Sequence, residues 1–470
     1  MKRVIFYFVV NSLLAILSVA LEVPFLFALT IFTWLNLFLY STQLIEKRYA
    51  LLIFLVSYFI FLLGQEFCVY YLGFESEYNF SDAINQHTYL VLFLGLLGLS
   101  FGFIIFEKFD RNRINCIDEL ETEKEIHKKI IIKQIAKIGM LVTVLPYYYV
   151  GLNKGLFVLN NSYLEYYTSY TSNIPSIIEN LSEMFTLFFF MFLATMPTKT
   201  EVRFPMLAYL GYALIFLMTG RRIQIGMTLM MIFAYYTMRH FNNKNEKWLK
   251  KVHMLMILIA FPAMIIVLYM FKYIRYGETI QGNGFVDMFF GFFYQQGTSI
   301  NVIKFAKRFE GDSLGITSLY YTFKYFRTNI ITGRFFQFPT SWYRLRNDYT
   351  AYYTNCLPDY IYYRISPYLF KKGYGLGASY LSELYHDGGY SLTVLGSMIY
   401  GVILQKLYSL KSNVWLRTIA LLILEQLFIL PRYGADSFLR PFYSVSNVLV
   451  FILCILLTNI IFTTNRKIYR

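Results

Sequence analysis

Charge is what this sequence lacks most. Only 15% of its 470 residues are Asp, Glu, Lys or Arg, against about 25% in soluble domains, while 57% are hydrophobic and the mean hydropathy is +0.46. That deficit excludes an ordinary soluble domain. Cysteine is scarce as well. Cys68, Cys116, Cys356 and Cys454 have no paired spacing such as C-x-x-C, which argues against a disulfide framework and a cysteine zinc site. No serine-hydrolase elbow, HExxH or carboxylate cluster of metal-ligand type is present, and no Gly-Lys-Ser/Thr follows a glycine-rich stretch. Hydrolytic, zincin and P-loop chemistry are disfavoured on those grounds. No internal repeat or low-complexity segment stands out.

Long apolar runs are what it has. The chain reads as an all-α polytopic membrane protein, because stretches of about 20 apolar residues recur, each enough to cross a hydrocarbon core of roughly 30 Å. Twelve spans are expected, at about 4–21, 24–42, 50–72, 88–107, 130–150, 175–196, 204–219, 223–240, 252–275, 388–409, 413–431 and 443–464. Met1-Lys2-Arg3 before an apolar run resembles a signal peptide, with Ser18-x-Ala20 as a cleavage site; a second apolar run follows at once, which favours an uncleaved first span. The net charge of +15 then reflects basic cytoplasmic loops and a surface for anionic lipid rather than nucleic acid. Lys47 and Arg48, Lys108 to Lys129, Lys199 and Arg203, Arg239 to Lys251, Lys406 to Arg417 and the tail with Arg466, Lys467 and Arg470 fall on one side. Residues 73–87 on the other hold Glu75, Glu77 and Asp82 but no Lys or Arg, and 151–174 hold Lys154 alone. Both termini are therefore expected in the cytoplasm.

One stretch breaks the pattern. From Tyr276 to Asp387, about 110 residues lie between spans, too long for the charge rule to orient. The expected organisation is a block of membrane helices over 1–275, a large extracytoplasmic loop over 276–387, and a second helical block over 388–470. Within the loop, residues 316–327 alternate apolar and polar faces at helical spacing and suit a membrane surface; the plainer reading is a small folded lid whose aromatics pack.

Candidate chemistry lies at the outward ends of the spans. Gly220-Arg221-Arg222 occupies a tight turn, Arg275 ends the span entering the loop, and Arg432 and Arg440 bracket a short turn. Positive charge there opposes insertion and calls for compensation. A guanidinium suits phosphate because its forked donors are rigid and always charged; snorkelling to headgroups, or pairing with Asp436, is the alternative. Gly373 to Gly389 is the second candidate. Its glycines 373, 375, 377, 388 and 389 permit close backbone approach, while Glu383, Tyr385, His386 and Asp387 supply acid-base groups. On a helix Ser379 shares a face with Glu383, and Ser382 with Tyr385 and His386. The alternative is a glycine-rich entry turn into the next span. Glu425, within a span, is a site candidate or a structural pair.

Twelve spans, one large late loop, the Gly-Arg-Arg turn and Gly-x-Gly-Ala-Ser-x-x-x-Glu-x-Tyr-x-x-Gly-Gly opening a span together resemble the Wzy-type O-antigen and capsular polysaccharide polymerases. The resemblance covers the whole architecture and is sharpest at 220–222 and 373–389, less so at 432–440. It implies an architecture like that of the C-type glycosyltransferases and O-antigen ligases. It also implies transfer of the growing glycan from undecaprenyl pyrophosphate onto a lipid-linked repeat unit, at the outer face of the bacterial cytoplasmic (inner) membrane. The expected partners are the lipid-linked oligosaccharide, membrane lipid, a flippase and a chain-length-regulating co-polymerase, with no nucleotide sugar, no metal and no other cofactor. With that chemistry, Arg221 and Arg222 are assigned to the pyrophosphate, Arg275, Arg432 and Arg440 as secondary groups, Glu383 as the acceptor-side base, His386 as its runner-up and Tyr385 to positioning. Two rivals from other classes are weighed: a lipid-linked oligosaccharide flippase, disfavoured by the large loop, and a non-catalytic membrane scaffold or co-polymerase, disfavoured by the absence of heptads in the loop; within the enzyme class an O-antigen ligase differs in its acceptor.

Overall fold

The computed structural model describes all residues except 1, 115–122, 162, 169, 243–245, 250–261, 272, 274–283, 312–313, 329–345, 410–412 and 469–470. The described residues are mainly helical, with no strand among them. Seven helices are long and apolar enough to cross a membrane: Phe25–Gln43, Ile45–Leu72, Asp82–Phe109, Glu123–Asn160, Ser176–Ala194, Lys199–Leu217 and Val445–Thr464. They coincide with seven of the expected spans. Of the remaining expected spans, Lys2–Ala20 and Ile223–Asn242 are also continuous helices, while Val414–Leu427 has 14 residues and is followed by the 3-10 turn Leu430–Arg432, where Pro431 removes a backbone donor. Leu141, Leu145, Leu449 and Leu453 on the long helices stay more than half exposed, as side chains with lipid for a neighbour do.

The chain divides into two units. The first comprises 1–108, 251–405 and 428–437. At its centre, Ile45–Leu72 is almost wholly buried. Its regular winding is broken by a π turn, Phe59–Leu63, which inserts one residue and re-aims the side chains around Phe61. Two short helices, Phe285–Gln296 and Ser299–Arg308, run on from one another with only Gly297 and Thr298 between them. Lys304 reaches from the second to Glu66, 2.7 Å away with both side chains buried, and Tyr89 donates to the other Glu66 oxygen at 2.6 Å. The described part of the expected loop forms a core of its own: Val302, Phe305, Ala351, Leu357, Tyr360, Ile361 and Phe370 pack together, with Tyr78 and Phe80 against them. Its aromatics serve packing first, as in the plainer sequence reading. The stretch expected to alternate faces becomes the helix Tyr320–Thr328.

The second unit comprises 109–250, 406–427 and 438–470. Glu123–Asn160 packs along Ser176–Ala194, Lys199–Leu217 and Val445–Ile468, and Val414–Leu427 lies against Ser176–Ala194 and Ile223–Asn242. Glu201 closes a capping box with Thr198 and pairs with Lys133 at 2.6 Å. Glu425, wholly inside, accepts a hydrogen bond from the Tyr209 hydroxyl and another from Gln426 at 3.2 Å.

Candidate functional site

The glycine-rich stretch folds as a loop, a short helical piece and a break. Gly373 ends the helix Pro367–Lys371 in a left-handed conformation, and Gly377 has φ +86°. The helix begins at Tyr380 and loses its winding at Gly388 and at Gly389, whose φ of 62° with ψ of −154° is open essentially to glycine alone. Tyr380 to Asp387 therefore form a separate helical piece ahead of the long helix, and Glu383, His386 and Asp387 all stand on it.

Glu383 is 2% exposed. Its Oε2 accepts from the Ala435 amide at 2.7 Å, and the Tyr400 hydroxyl donates to the Ala435 carbonyl, so residues 434–436 are gripped from both sides. A Cβ at position 434 would stand 2.9 Å from both carboxylate oxygens, so glycine is what lets the turn pack this close to them. Burial, then the nearby Asp436 and Asp387, outweigh the Ala435 hydrogen bond and push the Glu383 acid well above the usual carboxylate range. Its proton affinity is correspondingly high.

Asp387 behaves oppositely. Burial would raise it, but hydrogen bonds from His386, Ser318 and Thr317 prevail and hold it at about 2. It accepts from the Thr317 amide at 3.0 Å, the Thr317 hydroxyl at 2.8 Å, the Ser318 amide at 2.8 Å and His386 Nδ1 at 2.9 Å. Asp436 accepts from the Tyr321 and Thr322 amides at 3.3 and 2.6 Å and from the Thr322 hydroxyl at 2.7 Å. Asp436 thus satisfies leading amides of the Tyr320–Thr328 helix, which its own ladder leaves open, and Asp387 fixes the turn 317–318 just ahead of it. The expected runner-up base, His386, is tied to Asp387. Tyr385 donates to Glu310 Oε1 at 3.0 Å.

Arg432 stands on the same short turn as Ala435. Its Nη1 donates to the Gln296 carbonyl at 3.1 Å and to Gln296 Oε1 at 3.3 Å, and its guanidinium lies 5.5 Å from the centre of the Phe61 ring, on the π turn. The Ala378 amide donates to the Arg432 carbonyl at 3.3 Å. A Cβ on Gly377 would meet Arg432 Nε at 3.5 Å, Nη2 at 3.7 Å and Ser299 Oγ at 3.7 Å. Ser299 begins the Ser299–Arg308 helix. Its wholly buried hydroxyl, and the buried Gln296 amide nitrogen, have no hydrogen-bond partner among the described residues. Forked guanidinium donors, a hydroxyl and a helix N-terminus around a side-chain-free glycine constitute a setting for an anion.

The remaining arginines fall elsewhere. Arg221, Arg222 and Arg440 belong to the second unit, all half-buried. Gly220 takes a left-handed turn (φ +76°) after the Lys199–Leu217 helix, and the Arg221 guanidinium lies 5.4 Å from the Tyr166 ring centre and 5.8 Å from that of Phe216. Arg275 lies outside the described residues. Sequence reading passed over Gln296, Ser299, His87, Lys307 and Glu310, each an ordinary polar residue in its local context; only approaches between segments 75 to 303 residues apart distinguish them.

Residues 3–465 match the family model described as O-antigen polysaccharide polymerase Wzy. No curated protein and no solved structure matches the chain.

Proposed function

The chain belongs to the O-antigen polysaccharide polymerase Wzy family, and we propose that it transfers the growing glycan from undecaprenyl pyrophosphate onto a lipid-linked oligosaccharide repeat unit. The observation that carries this reading is the turn 432–435, which joins an anion setting to a proton acceptor. Arg432 faces Gly377 and Ser299, and three residues on Ala435 binds Glu383. In the transfer, the acceptor hydroxyl oxygen bonds to the sugar's anomeric carbon as the bond from that carbon to the pyrophosphate oxygen breaks. The electron pair leaves with the lipid pyrophosphate, where Arg432, with Arg221, Arg222, Arg275 and Arg440 as further candidates, stabilises the charge. The hydroxyl proton passes to Glu383. With Oε2 on the Ala435 amide, Oε1 is the receiving atom. His386 is the runner-up base and Tyr385 a positioning group.

The finer arrangement belongs to the same proposal. Twelve spans in blocks 1–275 and 388–470, with 276–387 as an extracytoplasmic loop and both termini cytoplasmic, bring the site to the outer face of the bacterial inner membrane, where a flippase delivers repeats and a co-polymerase governs length. The alternation of basic and acidic short loops supports that orientation.

A strain deleted for the gene and complemented with wild type, Arg432→Ala, Arg221→Ala, Arg222→Ala or Glu383→Gln tests this. Lipid-linked glycans and surface polysaccharide are resolved by size, after confirming that each variant reaches the membrane. Single repeats without a ladder in the Arg432 and Glu383 variants are expected. Long polymer persisting in the deletion itself would sink the polymerase reading, and repeats trapped on the inner leaflet would indicate a flippase.

A further inference from the structure

A second polar cluster flanks the Glu383 helical piece, built from three distant segments of the first unit. His87, 6% exposed near the start of the Asp82–Ile114 helix, meets the Tyr390 hydroxyl through Nδ1 at 2.8 Å. Its Nε2 is buried and has no hydrogen-bond partner among the described residues. The His87 ring stands edge-on to Tyr385, with centres 4.4 Å apart, and Tyr385 stands edge-on to Tyr390 at 5.1 Å. From the end of the Ser299–Arg308 helix, Lys307 Nζ donates to the Tyr385 hydroxyl at 3.3 Å and pairs with Glu310, which also accepts from Tyr385. The outer rim is open: the side chains of Lys307 and Glu310 are 31% and 50% exposed, and Tyr390 is 38% exposed.

Stability does not require this rim. An exposed Lys–Glu pair contributes about 0–1 kcal/mol, and an exposed tyrosine ring leaves apolar area in water that burial elsewhere would remove. What the rim offers is a close run of ammonium donors, carboxylate acceptors and a phenol that does both, bordered by an aromatic face. A pyranose presents the matching pattern, with adjacent hydroxyls that each donate and accept and a C–H face that packs on a ring. A phosphate would be repelled by Glu310, and an apolar chain would leave Lys307 and Glu310 desolvated.

We propose that Lys307, Glu310, Tyr385 and Tyr390, backed by His87, form a sugar-binding shelf that holds the terminal residue of the incoming repeat unit. This rests on the polymerase reading above. The two are separable because the shelf recognises sugar without pyrophosphate. The test uses the full-length protein in detergent and, as probe, the repeat-unit oligosaccharide released from lipid by mild acid in the deletion strain, with binding followed by calorimetry. Wild type is expected to bind it, and Lys307→Met, Glu310→Gln and Tyr390→Ala are each expected to weaken binding by about tenfold or more, as loss of a charge-assisted hydrogen bond does. Since Lys307 and Glu310 stand at the surface, their replacement leaves the core intact, and an unchanged unfolding temperature verifies that. Wild type that polymerises in cells yet fails to bind the free oligosaccharide, or shelf variants that bind it like wild type, would overturn the shelf alone. Failure of the polymerase reading shows separately, as polymer made without the gene.

Discussion

Replacing Lys304 by Met isolates the best-buried ion pair of the first unit. The Lys304 and Glu66 side chains are 4% and 5% exposed and 2.7 Å apart, and Tyr89 donates to the second Glu66 oxygen at 2.6 Å. One turn away, Asn301 donates to Gln65 at 3.0 Å, so the pair closes a strip of polar contacts between two helices. Methionine retains the apolar stem but removes the charge, leaving a buried carboxylate with a single phenol donor. Breaking one partner of such a pair costs about 3–5 kcal/mol, chiefly through the stranded charge. At about 2–4 °C per kcal/mol for a folded body of this size, the unfolding temperature in detergent drops by roughly 6–20 °C. Adding Glu66→Gln removes the stranded charge as well, and the double variant should recover to within about 1 kcal/mol of wild type. Differential scanning fluorimetry of wild type, both singles and the double completes the cycle. A double variant as damaged as the sum of the singles, or a harmless Lys304→Met, would refute the claim that the pair holds the Ser299–Arg308 helix in place.

Three further outcomes follow from the same geometry. A Cβ on Gly102 would stand 2.0 Å from the Met398 carbonyl oxygen and one on Gly98 2.3 Å from that of Val394; Gly102→Leu should abolish folded protein in membranes, as measured by protease resistance, since backbone on both sides cannot yield. Gly389→Ala places a side chain at φ 62°, ψ −154° and should lower stability by about 1–3 kcal/mol, seen as a lower unfolding temperature. For Asp387, held at about 2 against an ordinary 3.8, the folded state binds its proton less readily than the unfolded chain. Its contribution of about 2 kcal/mol is therefore present above pH 3.8 and lost as pH falls toward 2. The gap in unfolding temperature between wild type and Asp387→Asn should be full at pH 6 and close over that window; a gap independent of pH would count against its hold on Thr317 and Ser318.

Much of the architecture was legible because it follows from partitioning. Seven apolar segments became long helices, since a run of about 20 such residues has one stable solution in lipid, with every backbone group bonded within the segment. Glycines 388 and 389 were readable as an entry turn, and the chain breaks its helix there. Glu425 was readable as a buried group to be paired with a cation; its partners are instead the Gln426 amide and the hydroxyl of Tyr209, some 200 residues earlier in the chain.

The candidate site shows where reading by sequence ends. Spacing marked Glu383 as a residue of interest, yet its partner is the Ala435 amide, which any residue except proline would supply. Arg432 was one of several arginines of similar promise. What distinguishes it is Gly377 with its positive φ and a Ser299 hydroxyl without a partner, brought together from positions 299, 377 and 432. Asp436 caps the Tyr320–Thr328 helix and Asp387 holds the turn ahead of it, each from far along the chain. By itself the sequence determined helix type, approximate span positions and the pool of charged residues, because these depend on composition and on neighbours within a turn or two. Which groups face one another was decided only by tertiary structure, since a hydrogen bond or an anion setting depends on ångström-scale approach between segments, and no local pattern encodes that distance.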